Sequence, residues 1–347
     1  MSFGVTISMT EKTPEELICY LSKMKRLNAD LVFTTLRLPG EDIGQFKKNF
    51  AGVGSYIREN FRVFAADVSP EVFSYLSLEE IKSCGVNALR IDNGIPEETI
   101  AELSKTFGII LNASTIDDAF IENLYRCGYQ GEIEAWHNYY PRNNTGLDPG
   151  FYEERIQFMK KRGIHFAAFI AGDGERRGTI FEGLPTLEHH RNCPPLLAYL
   201  DMKHHFDTET VILGDFDLSD ETFEKMETLF STGSICLLAE HVLEKSILDT
   251  IHHNRVDIAA DVIRSNEYRR QHKEQVSPSN TKERETGTIT IDNEGYGRYM
   301  GEMQIVLKDL PKDLRVNVVG RVENGDIPLL SYIKDFKYPF ILREKSC

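Results

Sequence analysis

Short apolar runs alternate along this chain with longer stretches whose apolar positions recur every three or four residues. The short runs fall at residues 5–8, 31–36, 63–66, 88–91, 109–112, 132–136, 166–170 and 210–213, and predict eight strands. The stretches between them predict helices. The first opens at Thr13-Pro14-Glu15-Glu16, where a capping hydroxyl, a proline and two acids near the positive dipole end coincide. Others are expected at 41–60, 78–84, after Pro96-Glu97-Glu98, at 117–127, 151–162 and 219–230. Eight strand–helix units in this length predict a (β/α)8 barrel of the TIM type. An open doubly wound sheet competes, but Ser8-Met9-Thr10 stands where a G-x-G-x-x-G turn would follow the first strand. After residue 233 the alternation stops. Residues 264–285 are densely charged and predict an exposed loop, and 288–292, 303–307, 316–322 and 339–342 read as short strands split by Gly, Asp and Pro. Two domains are expected: a catalytic barrel over 1–233 and a smaller β-domain over 234–347.

Composition narrows the function. Forty basic against fifty-four acidic residues give a formal charge of −14, a field that repels nucleic acid and anionic lipid while leaving room for a local basic pocket. No apolar stretch is long enough for a membrane span, and the N-terminal residues read as a strand and not a signal peptide. The six cysteines are scattered without a C-x-x-C pair, so neither a disulfide framework nor a zinc site is indicated and a reducing cytoplasm is expected. No cofactor is expected.

In a barrel of this kind chemistry sits at the C-terminal ends of the strands. Those ends carry Ser8, Arg37, Asp67, Asp92-Asn93, Asn112, His137-Asn138 and Asp215. A single rim Asp can merely cap the next helix, as Asp117 is expected to do. A converging set of short polar side chains points to a site. Trp136-His-Asn-Tyr-Tyr-Pro-Arg142 suits carbohydrate, with flat rings for sugar faces and amides for hydroxyls, although Tyr139 and Tyr140 could simply pack the loop. No metal is expected: His137 lacks H-x-H or H-E-x-x-H spacing, and the neighbours in His189-His190, His204-His205 and His252-His253 should point to different sides. Between strands seven and eight a long connection holds Gly172, Gly174, Arg176, Arg177, Gly178, Glu182, Gly183 and Arg191. Glycines allow close backbone approach, the arginines can meet an anion, and Pro185-Thr186 can open a helix whose amides point at it. Solvated arginines on a surface loop are the plainer alternative.

Arg90-Ile-Asp-Asn-Gly94, His137-Asn-Tyr-Tyr-Pro-Arg142, Thr145-Gly-Leu147 and Glu182-Gly-Leu-Pro-Thr-Leu-Glu188 with Arg191 together resemble the bacterial 6-phospho-N-acetylmuramidase family. Gly301-Glu-Met-Gln-Ile305 and Arg315-Val-Asn-Val-Val-Gly-Arg321 fit it too, so the resemblance spans nearly the whole chain. It implies a barrel joined to a cyclophilin-like β-barrel domain. It also implies cytoplasmic hydrolysis of a phosphorylated muropeptide-derived disaccharide in cell-wall recycling. Glycoside hydrolysis ordinarily uses two carboxyl groups. From the strand ends, Asp92 and Asp215 are the expected pair, with Glu182 as reserve acid and Asp67 and Glu134 behind it. Asn112, His137, Asn138 and Tyr139 are expected to orient the sugars, and Arg142, Arg176, Arg177 and Arg191 to meet phosphate and carboxylate. Substrate-assisted catalysis by an N-acetyl oxygen stays open, as does a non-catalytic sugar-phosphate sensor. A barrel lyase or epimerase is disfavoured because no lysine ends a strand. The expected partner is a small phosphorylated amino sugar.

Overall fold

A computed structural model describes residues 2–37, 43–92, 94–178 and 180–345; Asn93 of the expected rim set lies outside them. The chain divides into two compact units, Met1–Phe223 and Glu224–Cys347.

In the first unit the strands are β1 (Ser2–Thr6), β2 (Leu31–Thr35), β3 (Val63–Val68), β4 (Ala88–Ile91), β5 (Gly108–Asn112), β6 (Glu134–Trp136), β7 (His165–Ile170) and β8 (Thr210–Leu213). They close into a parallel barrel in sequence order, with β1 hydrogen-bonded to both β2 and β8. The helices after them are α1 (Pro14–Lys25), α2 (Ile43–Asn60), α3 (Leu78–Ser83), α4 (Glu97–Leu103), α5 (Asp118–Arg126), α6 (Pro149–Lys160) and α7 (Pro195–His204). The last helix, α8 (Asp220–Thr232), carries the division between the units, whereas the sequence suggested a boundary at its end.

Local chemistry sets the helix starts. Thr13 and Glu16 form a capping box on α1, each accepting the other's backbone N–H, and Asp117 caps α5 by accepting from Phe120 N–H. Gly54 of α2 lies against the end of α3, where a Cβ would sit 2.0 Å from the Cys84 carbonyl oxygen, so only glycine fits.

Inward-facing residues alternate along each strand and fill the barrel. Trp136, Phe33 and Phe169 form an aromatic layer, with ring centroids 5.7 Å (Phe33–Trp136) and 5.5 Å (Phe33–Phe169) apart, while Ala65, Ala88 and Ala167 leave room for them. Trp136 donates its indole N–H to Glu134 Oε1 at 2.7 Å. Glu134, at the N-terminal end of β6, is thereby held beneath the ring, and burial pushes its carboxyl up.

The second unit is a curled seven-stranded sheet ordered β10 (Ile251–His252), β15 (Phe340–Glu344), β9 (Ile235–Glu240), β14 (Val316–Val322), β12 (Thr288–Asp292), β13 (Met303–Val306), β11 (Val262–Arg264). All pairs are antiparallel except β9 with β15. Two short helices, α9 (Tyr268–Gln271) and α10 (Leu330–Asp335), accompany it. Inside it Lys225 donates to Asp326 at 2.7 Å, and Asp326 also accepts Leu238 N–H at 2.7 Å. The expected exposed loop at 264–285 contains α9, whose apolar anchor Tyr268 is buried and bonded to Ser246.

Candidate active site

At the C-terminal mouth of the barrel a cavity of about 190 Å³ is floored by Phe33 and Phe169 and walled by Arg37, Asp67, Arg90, Asp92, Asn138 and Tyr139. The period-two alternation that fills the barrel also delivers these groups. Asp67 follows Val63 and Ala65 up β3, Arg90 and Asp92 follow Ala88 up β4, and Asn138 follows Trp136.

Arg90 organises the wall. It is 4% exposed and donates Nη1 to Asp67 Oδ1 at 2.8 Å, while Nη2 bonds Asn138 Oδ1 and the Trp136 carbonyl oxygen. Asn138 is pinned on its other side, because its carbonyl accepts from the buried Thr186 hydroxyl at 2.9 Å. Burial pushes the Asp67 carboxyl up, the Arg90 charge pulls it back, and neighbouring Asp92 adds a further upward push. Asp92 has a different environment: it is more open and bridges to half-exposed Arg37 at 2.6 Å. One cavity thus holds a buried carboxyl whose proton is favoured and a second carboxylate beside a solvent-facing cation. That is the asymmetry acid–base chemistry requires.

Other expected residues sit elsewhere. Asp215 is fully buried and is absent from the cavity wall. Its Oδ2 accepts Gly172 N–H at 2.9 Å and Leu184 N–H at 3.1 Å, and its Oδ1 accepts Arg177 N–H at 3.1 Å. It therefore ties the first half of the β7–α7 connection, at Gly172, Arg177 and Leu184, to the end of β8. Glu182 is exposed on that connection. His137 points out of the barrel, fully buried against Tyr152 of α6 and 3.0 Å from Ser114 Oγ; burial pushes its imidazole down to about 3. It does not line the cavity, and its buried Nε2 has no hydrogen-bond partner among the described residues. Asn112 folds back to accept Ser114 N–H at 3.0 Å.

The arginines divide sharply. Arg191 is held within the loop: Nε and Nη2 bind Glu188 at 2.7 Å each, and Nη1 and Nη2 reach the carbonyl oxygens of Gly183 and Arg142 at 3.0 and 3.1 Å. It builds the loop, and four of its five N–H donors are spent there rather than offered to phosphate. Arg142 keeps an exposed side chain, and Arg176 is half-buried. Arg177 is the contrast. Its guanidinium, 6% exposed, lies 5.7 Å from the ring centres of both Tyr139 and Phe216, with Nε and Nη1 shut off from water and unpartnered. The Tyr20 hydroxyl, within electrostatic reach of Arg177, is likewise enclosed and unpartnered. A buried, unsatisfied guanidinium is costly unless an anion meets it.

Two further expectations are corrected. Pro185-Thr186 opens no helix: Thr186 is buried, accepts Phe169 N–H at 2.9 Å and braces Asn138. His189 and His190 do not diverge, since a tight helical turn brings both Nε2 atoms to Asp201 Oδ2 at 3.2 and 2.8 Å, and His205 Nδ1 reaches Oδ1 at 2.7 Å. The donor atoms of His189, His190 and Asp201 lie within 4.8 Å of one another. A metal on His190 Nε2 would leave a buried Nδ1–H without an acceptor, so the imidazole-to-carboxylate hydrogen bonds are the better-satisfied arrangement.

Sequence reasoning missed Arg90 as the hub, Thr186 as the brace and Tyr20 beside Arg177. Arg90 was legible as a charged residue between Ala88 and Asp92 on an inward strand face; the other two depend on packing between distant segments.

A closed parallel barrel with polar side chains gathered at its C-terminal mouth has the form of a (β/α)8 enzyme. Residues 3–228 match the 6-phospho-N-acetylmuramidase N-terminal family, and residues 237–341 match its C-terminal family. The chain belongs to the 6-phospho-N-acetylmuramidase family. It is similar to a conserved protein of unknown function from Enterococcus faecalis, at 34% identity over 100% of this chain and 97% of that one, with a TM-score of 0.88. An uncharacterised Bacillus cereus protein is 28% identical over 99% of each chain, with a TM-score of 0.74. No curated protein matches the chain. Among the described residues no helix is long and apolar enough to cross a membrane.

Proposed function

We propose that the barrel hydrolyses the glycosidic bond that joins N-acetylmuramic acid 6-phosphate to its neighbour in a phosphorylated cell-wall disaccharide, and that it does so in the cytoplasm during peptidoglycan recycling. The observation that carries this reading is the pair of carboxyl groups with opposite surroundings in one cavity, Asp67 buried against Arg90 and Asp92 bridged to Arg37.

In this reading Asp67 gives its proton to the departing glycosidic oxygen as the bond to the anomeric carbon breaks. Asp92 stabilises the developing positive charge, either by attacking the anomeric carbon or by drawing a proton from the attacking water. Water supplies the hydroxyl to the anomeric carbon, and its remaining proton restores the acid. Asn138, fixed by Arg90 and Thr186, presents its amide to the sugar, and Tyr139 offers a ring face. Of the pair expected from the sequence, Asp92 keeps its role. Glu182 is kept as a loop-borne alternative acid, and Asp215 is assigned to holding the loop. Arg177 with the Tyr20 hydroxyl is assigned to the phosphate, because its Nε and Nη1 are buried without a partner among the described residues.

The test is release of the two sugars from a phosphorylated disaccharide by wild type and by Asp67→Asn and Asp92→Asn, which keep shape while removing the acid or the charge. Each variant is expected to stay folded and lose about 10²–10⁴-fold in turnover. Near-normal turnover in both would move the chemistry to Glu182, and absence of any product from wild type, despite binding, would make the barrel a sensor.

A further inference from the structure

The chain is strongly acidic, yet one concavity of the C-terminal unit is lined mainly by cations. It encloses about 510 Å³ and is formed by the segment around α9 and by the turn that precedes β13. Arg255, Arg269, Arg270, Lys273 and Arg298 face it against two carboxylates, Glu274 and Glu302, so five positive charges less two negative leave the lining at +3. The whole chain, by contrast, stands at −14.

Of the two carboxylates, Glu302 is already engaged, which leaves Glu274 alone against the cations. Glu302 takes Arg264 at 2.6 and 3.0 Å and lies 3.8 Å from Arg255, which also pairs with Asp257 at 2.9 Å. Arg269, Arg270, Lys273 and Arg298 have no carboxylate partner among the described residues. Two of them are nevertheless held in place: Arg269 donates to the Arg298 carbonyl oxygen, and Arg298 donates to the Tyr299 hydroxyl at 2.7 Å with its guanidinium 4.8 Å from that ring's centre. Four unpaired cations converging on one concavity repel one another, and a chain with so many acids leaves them unpaired here. The volume lies within the range of about 300–1,000 Å³ of small-molecule pockets. A long polyanion would also have to approach through the negative field of the whole chain, whereas a small one meets mainly the local potential.

We infer that this concavity is an anion-binding site for a small phosphate-bearing molecule, with Arg270, Lys273 and Arg298 as its charged contacts. It shares no residue with the barrel cavity. The same chemistry serves a sugar phosphate or a nucleotide, and the probes separate the two.

Titration calorimetry on the full chain at low salt, with pyrophosphate, N-acetylglucosamine 6-phosphate and ADP as three separate probes, tests the inference. Wild type and Arg177→Ala should both bind pyrophosphate, and the double variant Arg270→Gln/Arg298→Gln should bind it about tenfold or more weakly, since charge-assisted contacts are lost. Tighter binding of the sugar phosphate or of ADP, lost in the same double variant, identifies the source. If the double variant has an altered melting temperature, exposed Lys273→Gln is read instead, with a loss of about threefold or more expected. The inference is overturned if wild type binds none of the probes at millimolar concentration, if the C-terminal variants bind like wild type, or if Arg177→Ala alone abolishes binding.

Discussion

Asp215 is where an expectation from sequence and the geometry differ most usefully. As a catalytic acid, its change to Asn would leave the fold intact and remove turnover. As the buried acceptor of Gly172, Arg177 and Leu184 N–H groups, its change to Asn does something else. Asparagine offers one oxygen in place of two. In its best rotamer that oxygen keeps Gly172 and Leu184, and the amide NH₂ then faces the Arg177 N–H, donor against donor. One charge-assisted hydrogen bond is lost, worth about 1.5–3 kcal/mol, and a buried N–H is left without an acceptor. The two retained bonds weaken as the charge goes. A loss of about 3 kcal/mol follows, and for a domain of this size each kcal/mol lowers Tm by roughly 2–4 °C. The barrel transition of Asp215→Asn should therefore drop by roughly 6–12 °C, measured by calorimetry beside kcat and KM on phosphorylated disaccharide. Loosening of the connection that carries Arg177 should raise KM as well. A variant that melts within about 2 °C of wild type but has lost its turnover would refute this and return Asp215 to the chemistry.

Arg177→Ala should weaken handling of phosphorylated substrate by roughly 1.5–3 kcal/mol in kcat/KM and spare an unphosphorylated analogue, whereas Arg191→Ala should lower Tm and affect both substrates alike. Equal effects of Arg177→Ala on the two substrates would remove it from phosphate recognition. Burial, with Glu302 and Asp313 nearby, pushes Asp292 up to about 7, so its unfolded form gives up its proton first as pH rises. Stability should therefore fall between about pH 4 and 7 and level off above, by a few kcal/mol, and Asp292→Asn should flatten that slope in pH-dependent melting. Gly54→Ala must displace the Cys84 carbonyl and should destabilise the barrel by several kcal/mol; an unchanged Tm would show that α3 yields freely.

The barrel was legible because its strands are buried on both faces and read as unbroken apolar runs, while several helices announce themselves through a cap such as Thr13 or Asp117; α7, which opens at Pro194-Pro195 without a capping side chain, was missed. The C-terminal sheet was only partly legible. Strand 288–292 alternates clearly, whereas 316–322 loses the alternation at Val319, where its pairing with β12 shifts register. β10 and β11 have two and three residues, too few to show a period, and exist because β15 and β13 offer them hydrogen-bonding edges. α10 was missed because its apolar residues follow Pro328 and Leu329 without a helical cap.

The sequence brought Asp67 and Asp92 to one cavity but misplaced Asp215 and Arg191, for a reason that can be located. Glu188 and Arg191 stand three apart, a spacing that lets a carboxylate and a guanidinium meet within one turn, so the sequence already contained the pairing that occupies Arg191. Arg177 has no such neighbour, and the groups enclosing it, Tyr139 and Phe216, come from the connections after β6 and β8. Local spacing can therefore remove an arginine from a list of anion ligands, while only the closed barrel can add one. The same reasoning applies to the acids: Asp215 looked free because its partners are backbone N–H groups, which every sequence contains and none displays. A charged residue beside a glycine-rich connection should thus be tested first as that connection's anchor, and here the glycines meet that test directly. A Cβ on Gly172 would lie 2.5 Å from the Asp217 carbonyl oxygen, and one on Gly174 2.7 Å from the backbone of Leu218. The loop is pressed onto the end of β8 for the same reason that Asp215 is buried there, and the cation it carries, Arg177, packs against Tyr139 of the cavity wall.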